Sequence, residues 1–220
     1  MPGPLALVGG AEWREGCDFD RDLLAASGGT EVLVLPTAAA YEHPERAVED
    51  ATRWFDQLGA TVTSAPVLTR RDALDESHVG PIESARFIYL ASGSPMHLRS
   101  VLKDSPTWDA LVRAWEGGAV LAASSAAAMV LCDPMVDPRG GALTIGLGLV
   151  APLAVVPHHD TWSEDKEKRT LQIAPAGLPV VGIAERTALI RDPDGTWRSA
   201  GVGRVTVHRD GAERDLSDLP

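Results

Sequence analysis

The sequence predicts an α/β fold built on a doubly wound, mostly parallel sheet with helices on both faces. Three observations predict it. Short runs of Val, Leu and Ile, continuous rather than alternating, recur between glycine- or proline-marked turns, as strands buried on both faces of a parallel sheet require. Through the first half of the chain these runs alternate with helical stretches, the pattern of right-handed βαβ crossovers. One run, Ala119-Val120-Leu121, then passes through small residues and two serines, Ser124 and Ser125, straight into the helical Ala126-Ala127-Ala128-Met129-Val130-Leu131.

The elements follow in order. Leu5-Ala6-Leu7-Val8 is a strand closed by Gly9-Gly10, residues 18–27 form a helix closed by Gly28-Gly29, and Glu31-Val32-Leu33-Val34-Leu35 is a second strand stopped by Pro36. A helix runs from Pro44, which suits a first turn, to about Leu58; Ala47, Ala51, Trp54, Phe55 and Leu58 make one apolar face. Residues 60–63 restart a strand, 70–77 and 82–85 are short helical pieces, and Phe87-Ile88-Tyr89-Leu90-Ala91 is the next strand. It ends in Ser92-Gly93-Ser94-Pro95, and helices over 96–102 and 108–115 lead to the strand before Ser125. Beyond residue 131 the alternation loosens. Val155-Val156 is a brief strand, 164–171 a charged helix, and 178–183, 188–191 and 204–208 are strands; Asp192-Pro193-Asp194-Gly195 and Asp210-Gly211 are hairpin-type turns near the C-terminus. Residues 1–212 read as one α/β domain and 213–220 as an acidic, frayed tail.

Composition narrows the function. Lys and Arg number 20 against 31 Asp and Glu, a formal charge of −11, which argues against a nucleic-acid partner. The two cysteines, Cys17 and Cys132, have no metal-ligand spacing, and a reducing, cytoplasmic location is the default. Met1-Pro2-Gly3-Pro4 lacks the features of a signal peptide, and the uncharged run 140–157 is too broken by glycines and Pro152 to span a membrane, so no membrane partner is expected.

Chemistry concentrates at Ser125. A strand that turns at a serine into a helix lifts the hydroxyl clear of the sheet edge and places free backbone N–H groups beside it, as in a nucleophile elbow. A serine there also caps helices. As a nucleophile it needs a base, so one of six histidines must reach it. Open α/β sheets bind ligands at the carboxyl ends of their strands, where the loops Gly9-Gly10-Ala11-Glu12 and Ser92-Gly93-Ser94-Pro95 join the Ser124-Ser125 turn.

Gly9-Gly10-Ala11-Glu12, Leu35-Pro36-Thr37-Ala38, the glycine loop before Met96, the Ser125 elbow, Gly146-Leu147-Gly148-Leu149, Pro157-His158 and the segment 182–188 together resemble the cyanophycinase and dipeptidase E family of serine peptidases, peptidase family S51. The resemblance covers nearly the whole chain and implies a flavodoxin-like fold of the class I glutamine amidotransferase-like type. It implies hydrolysis of aspartyl or β-aspartyl peptides with no metal or organic cofactor.

By position in that resemblance, Ser125 is the nucleophile and His158 its base, with His159 the neighbour most easily confused with it. The acid is either Glu185 or Asp137: the first follows the histidine, as in the cyanophycinase branch, and the second precedes it, as in the dipeptidase branch. The oxyanion donors are the amide of Ala126 and that of Gly93 or Ser94. Glu12 is a candidate for a substrate ammonium, and Arg99, Arg139 and Lys166 for a substrate carboxylate. The resemblance suggests a homodimer and a small peptide substrate. The chain departs from the family at the elbow, where Ala123 and Ala127 stand for glycines, and at Ser92, where the family has a second glycine. Each added Cβ must find room beside a strained serine. The expected function is a serine peptidase acting through a Ser-His-acid triad and an acyl-enzyme; the alternative is a catalytically impaired relative serving as a binding or regulatory module.

Overall fold

The computed structural model describes every residue from 1 to 220 except Pro138 and Gly140, together with all side chains but those of Glu164 and Lys166. The start of the uncharged run at Gly140 and the Lys166 side chain therefore lie outside the described residues. The expected alternation is present: β1 (Leu5–Val8), α1 (Phe19–Ser27), β2 (Glu31–Leu35), α2 (Pro44–Gln57) and β3 (Thr61–Ser64). The short helices α3 (Arg70–Ala73) and α4 (Val79–Ser84) precede β4 (Phe87–Leu90). Then come α5 (Pro95–Leu102), α6 (Pro106–Glu116), β5 (Val120–Ser124) and α7 (Ala126–Leu131). The C-terminal part holds β6 (Met135–Val136), β7 (Leu143–Thr144), β8 (Ala154–Pro157), α8 (Glu164–Ile173), β9 (Val180–Ile183), β10 (Thr187–Arg191), β11 (Trp197–Gly201), β12 (Val205–Arg209) and β13 (Ala212–Arg214).

The central sheet has seven strands in the order β11-β10-β1-β5-β4-β2-β3. From β1 to β3 neighbours are parallel, and β10 and β11 extend the sheet antiparallel. Period-two alternation sorts each strand's side chains to two cores. Ala6, Val8, Val32, Val34, Phe87 and Tyr89 pack with Leu23 of α1 and Trp54 and Phe55 of α2. Leu5, Leu7, Leu33, Leu35, Ile88 and Leu90 pack with α3 to α7 and with the second sheet. Both faces are covered, so the continuous apolar runs are explained. Helix starts are fixed by side chains: Ser94 Oγ accepts from the His97 amide and Ser105 Oγ from the Trp108 amide, capping α5 and α6.

Three expectations change. The strand before the elbow runs on to Ser124, because Ala122, Ala123 and Ser124 pair with Ala6, Leu7 and Val8 of β1. The turn after Arg191 leads to β11, absent from the sequence reading, and β9, β12 and β13 belong with β8 to a second, four-stranded sheet. The tail is not frayed: Glu213 and Arg214 lie in β13, and the Trp197 indole N–H donates to the Pro220 carbonyl at 2.8 Å. Among the described residues no helix is long and apolar enough to cross a membrane.

Candidate active site

The carboxyl end of β1 is the platform on which the site is assembled. The Val8 carbonyl accepts from the Ser125 amide at 2.8 Å, that of Gly9 from the His158 amide at 2.7 Å, and that of Gly10 from the Arg186 amide at 2.9 Å. The first two amides directly follow β5 and β8 and the third directly precedes β10, so one short loop sets the spacing of all three. Gly10 has φ 110°, and a Cβ on it would lie 2.2 Å from His158 Cε1. Only glycine leaves the imidazole its place.

Ser125 bridges β5 and α7 with φ 49° and ψ −109°, a conformation L-residues avoid and nucleophile elbows use. Its hydroxyl donates to His158 Nε2 across 2.9 Å. His158, also at positive φ, shares a 2.8 Å hydrogen bond from Nδ1 to Glu185 Oε1. A carboxylate at Nδ1 keeps the proton there and leaves Nε2 as the acceptor, the tautomer a general base needs. The Glu185 amide in turn donates to Asp160 Oδ1 at 2.9 Å, which fixes the strand end from which the carboxylate reaches.

Of the two candidate acids, the structure brings only Glu185 to the imidazole. Asp137 is held by Arg139, whose guanidinium and backbone amide both donate to it and bring its carboxyl down to about 2. Arg139 is thereby occupied as well, and exposed. His159, the confusable neighbour, turns the other way: it stacks on the Gly182 backbone and pairs with Glu167 of α8 at 3.1 Å.

At the oxyanion side, Gly93 and Ala126 both line the cavity that opens at Ser125. Ala126 is the first residue of α7, so its amide has no carbonyl within the helix to serve. Ser94 is a correction. Its amide donates to the Ala38 carbonyl at 2.8 Å and its hydroxyl caps α5, so neither points to a developing charge. Gly93, at φ 147°, lies so close to Ala38 that a Cβ would be 2.2 Å from that residue's oxygen. Glu12 accepts from the Ser92 amide with Oε1 (3.1 Å) and from the Ser124 hydroxyl with Oε2 (2.8 Å). Arg99 donates to the Gly146 carbonyl and lines neither cavity beside Ser125.

Ala123 and Ala127 are wholly buried, and with their methyl groups in place Ser125 Oγ keeps its 2.9 Å contact with His158. Two cavities meet at the site. One, of about 410 Å³, includes Met129, Pro157 and Trp162; the other, of about 430 Å³, includes Arg14, Arg46 and Glu42; Gly93 and His158 border both. Each is the size of a small-ligand pocket. Among the described residues no group of three or more His, Cys, Asp or Glu side chains is placed to hold a metal ion.

The model of peptidase family S51 matches residues 5–196, which include every member of this constellation. The chain belongs to peptidase family S51. The chain is 24% identical over 213 residues to a cyanophycinase of Trichormus variabilis, covering 91% of this chain and 72% of that one. It is 26% identical over 218 residues to a cyanophycinase of Synechococcus elongatus, covering 93% and 67%. The crystal structure of a peptidase from an acI-B1 actinobacterium superposes with a TM-score of 0.86 at 29% identity, over 97% of this chain and 93% of that one. A putative peptidase E from Listeria monocytogenes shares the fold, with a TM-score of 0.66 at 16% identity over 95% and 99%.

Sequence reading missed two contributors to this S51 site. The sequence places Gly10 in a loop at the ligand end of the sheet and in a family motif but gives it no role of its own, although a doubled glycine after a buried strand is a visible sign that something approaches the backbone closely. Asp160 gave no signal, since its bond to the Glu185 amide joins segments 25 residues apart.

Proposed function

We propose that this S51 chain is a serine peptidase that hydrolyses a small aspartyl or β-aspartyl peptide through an acyl-enzyme. The observation that carries the proposal is the unbroken line from Ser125 Oγ to His158 Nε2 and from His158 Nδ1 to Glu185. In this reading His158 takes the hydroxyl proton as Oγ attacks the scissile carbonyl, and Glu185 stabilises the imidazolium that forms. The Gly93 and Ala126 amides receive the oxyanion. His158 then gives its proton to the leaving amine, and water, activated by the same imidazole, releases the acyl group. The aspartyl preference rests on the family resemblance and on the named relatives, cyanophycinases among them.

The test is active-site labelling. A fluorophosphonate should attach to Ser125, located by mass spectrometry, and the adduct should vanish in Ser125→Ala and weaken strongly in His158→Ala. A panel of aspartyl and β-aspartyl dipeptides then tests the substrate class. Folded protein that resists the probe would instead support the binding-module reading. Restoring glycine at 123 and 127 would show whether the two alanines are responsible.

A further inference from the structure

We propose that Glu12 is a positioning residue: it straps the loop that carries Gly93 to the strand end that carries Ser125, and so sets the width of the oxyanion hole. The proposal rests on the reading of Ser125 as nucleophile and Gly93 as oxyanion donor.

The argument starts from where these groups come from. Ala126 and Ser125 follow β5, whereas Gly93 follows β4. The ladder between those strands ends at Leu90 and Ala123, and beyond it no backbone pairing among the described residues fixes one loop against the other. Two contacts take over. On one side the Ser94 amide donates to Ala38, and Gly93 packs on the same residue so closely that only glycine fits. On the other side Glu12 accepts the Ser92 amide with one carboxylate oxygen and the Ser124 hydroxyl with the other. The residues before and after Gly93 are thus both tied down by their amides, and the Gly93 amide between them has no acceptor among the described residues. The same carboxylate holds the residue before Ser125. One side chain therefore spans both halves of the hole.

Ser124 supports the assignment. It is wholly buried, and its hydroxyl would be an orphan donor without Glu12. Glu12 itself is anchored on both flanks. The Gly10 carbonyl holds the Arg186 amide, and the Trp13 ring is buried edge-on against Tyr89 with centroids 5.1 Å apart. A fixed base makes the carboxylate a strut. A carboxylate suits the task because it is acceptor-only at both oxygens and meets two donors.

The experiment uses a fluorophosphonate on the full chain and separates its limiting rate of phosphonylation from its concentration dependence. Glu12→Ala should lower the limiting rate by about ten- to a hundredfold, the loss a misplacement of about 1 Å brings, with half-saturation unchanged. Glu12→Gln keeps the reach, accepting the Ser92 amide with its oxygen and donating to Ser124 with its nitrogen, so it should return to within roughly threefold of the parent. Ser124→Ala cuts one leg and should lower the rate less than Glu12→Ala. The double variant should be no worse than Glu12→Ala alone. The pH midpoint of the limiting rate should not move in any of them.

A change confined to half-saturation would make Glu12 a ligand-binding group and overturn the proposal. So would a Glu12→Gln as slow as Glu12→Ala, which would show that charge and not reach is what counts. If Glu12→Ala does not fold by circular dichroism, an unchanged limiting rate in folded Ser124→Ala would also overturn it. Parent protein unlabelled at Ser125 defeats the nucleophile reading first, and this proposal with it. Labelled parent with an indifferent Glu12→Ala defeats this proposal alone.

Discussion

Ser125 and His158 both sit at positive φ, and each such non-glycine residue stores on the order of 1–3 kcal/mol of local strain. Neighbours hold them there through the Val8 and Gly9 carbonyls, which receive their amides. The strain aims two side chains at each other across 2.9 Å. What completes the line is a matter of which carboxylate arrives. Glu185→Gln keeps the shape but puts an amide donor at Nδ1, pushing the imidazole proton to Nε2, where it blocks acceptance from Ser125. Phosphonylation of Ser125 should fall by about 10⁴-fold in that variant, the size of effect seen when a triad carboxylate becomes an amide. Asp137→Asn should change it by less than roughly threefold, because a residue paired with Arg139 has no part in the line. Equal losses in the two variants would contradict the geometry of the site. The sequence leaves the choice between these acids open because Asp137 precedes His158 and Glu185 follows it, and the family resemblance admits either order. Only through-space proximity separates them.

At the scale of elements, the helices on the two faces differ in what they secure. α2 is amphipathic, with Ala51, Trp54 and Phe55 inward. Phe55 meets Phe87 of β4 edge-to-face at 5.8 Å and is fully buried. Phe55→Ala removes that contact and leaves a void beneath β4, so chemical denaturation should show a loss of about 3–5 kcal/mol. A loss below about 1 kcal/mol would mean that the site collapses around the void. The helix was readable because its apolar residues recur at spacings of three and four. β11 was not, since Trp-Arg-Ser-Ala-Gly at an exposed edge has neither an apolar run nor clean alternation. β13 escaped notice for the same reason, as three residues of a charged segment are ordered by pairing with β12. Edge strands draw their order from a partner's backbone.

Across the whole molecule, the side of the sheet opposite α7 buries a carboxyl. Asp20, at the start of α1, is fully buried and accepts from the Trp54 indole at 2.9 Å with one oxygen; its other oxygen has no partner among the described residues. Burial pushes this carboxyl well above the usual range, the Trp54 bond opposes that, and the nearby Glu12 charge adds to it. Raised in the folded state and about 3.9 in the unfolded chain, the group gives its full stabilising contribution only below that lower value. The contribution is lost as pH rises towards and through the folded value. Asp20→Asn removes this dependence, so its urea midpoint should fall less steeply than the parent's from about pH 4 upward. Parallel curves for the two proteins would show that Asp20 titrates alike in the folded and unfolded chain.

Beyond what the family resemblance implied for His158, the sequence by itself determined the doubly wound sheet, the strand-to-helix turn at Ser125 and the glycine loops at the strand ends. Each of these is written in local signals: apolar period, turn chemistry and short motifs. The tertiary structure alone decided that Glu185 and not Asp137 meets the imidazole, that the Ser94 amide is spent on Ala38, and that Glu12 bridges two loops. It also sent β9 and β12 to a second sheet. Those outcomes depend on strand order, which brings residues tens of positions apart to one sheet edge, and no periodicity along the chain encodes which of several carboxylates that order delivers.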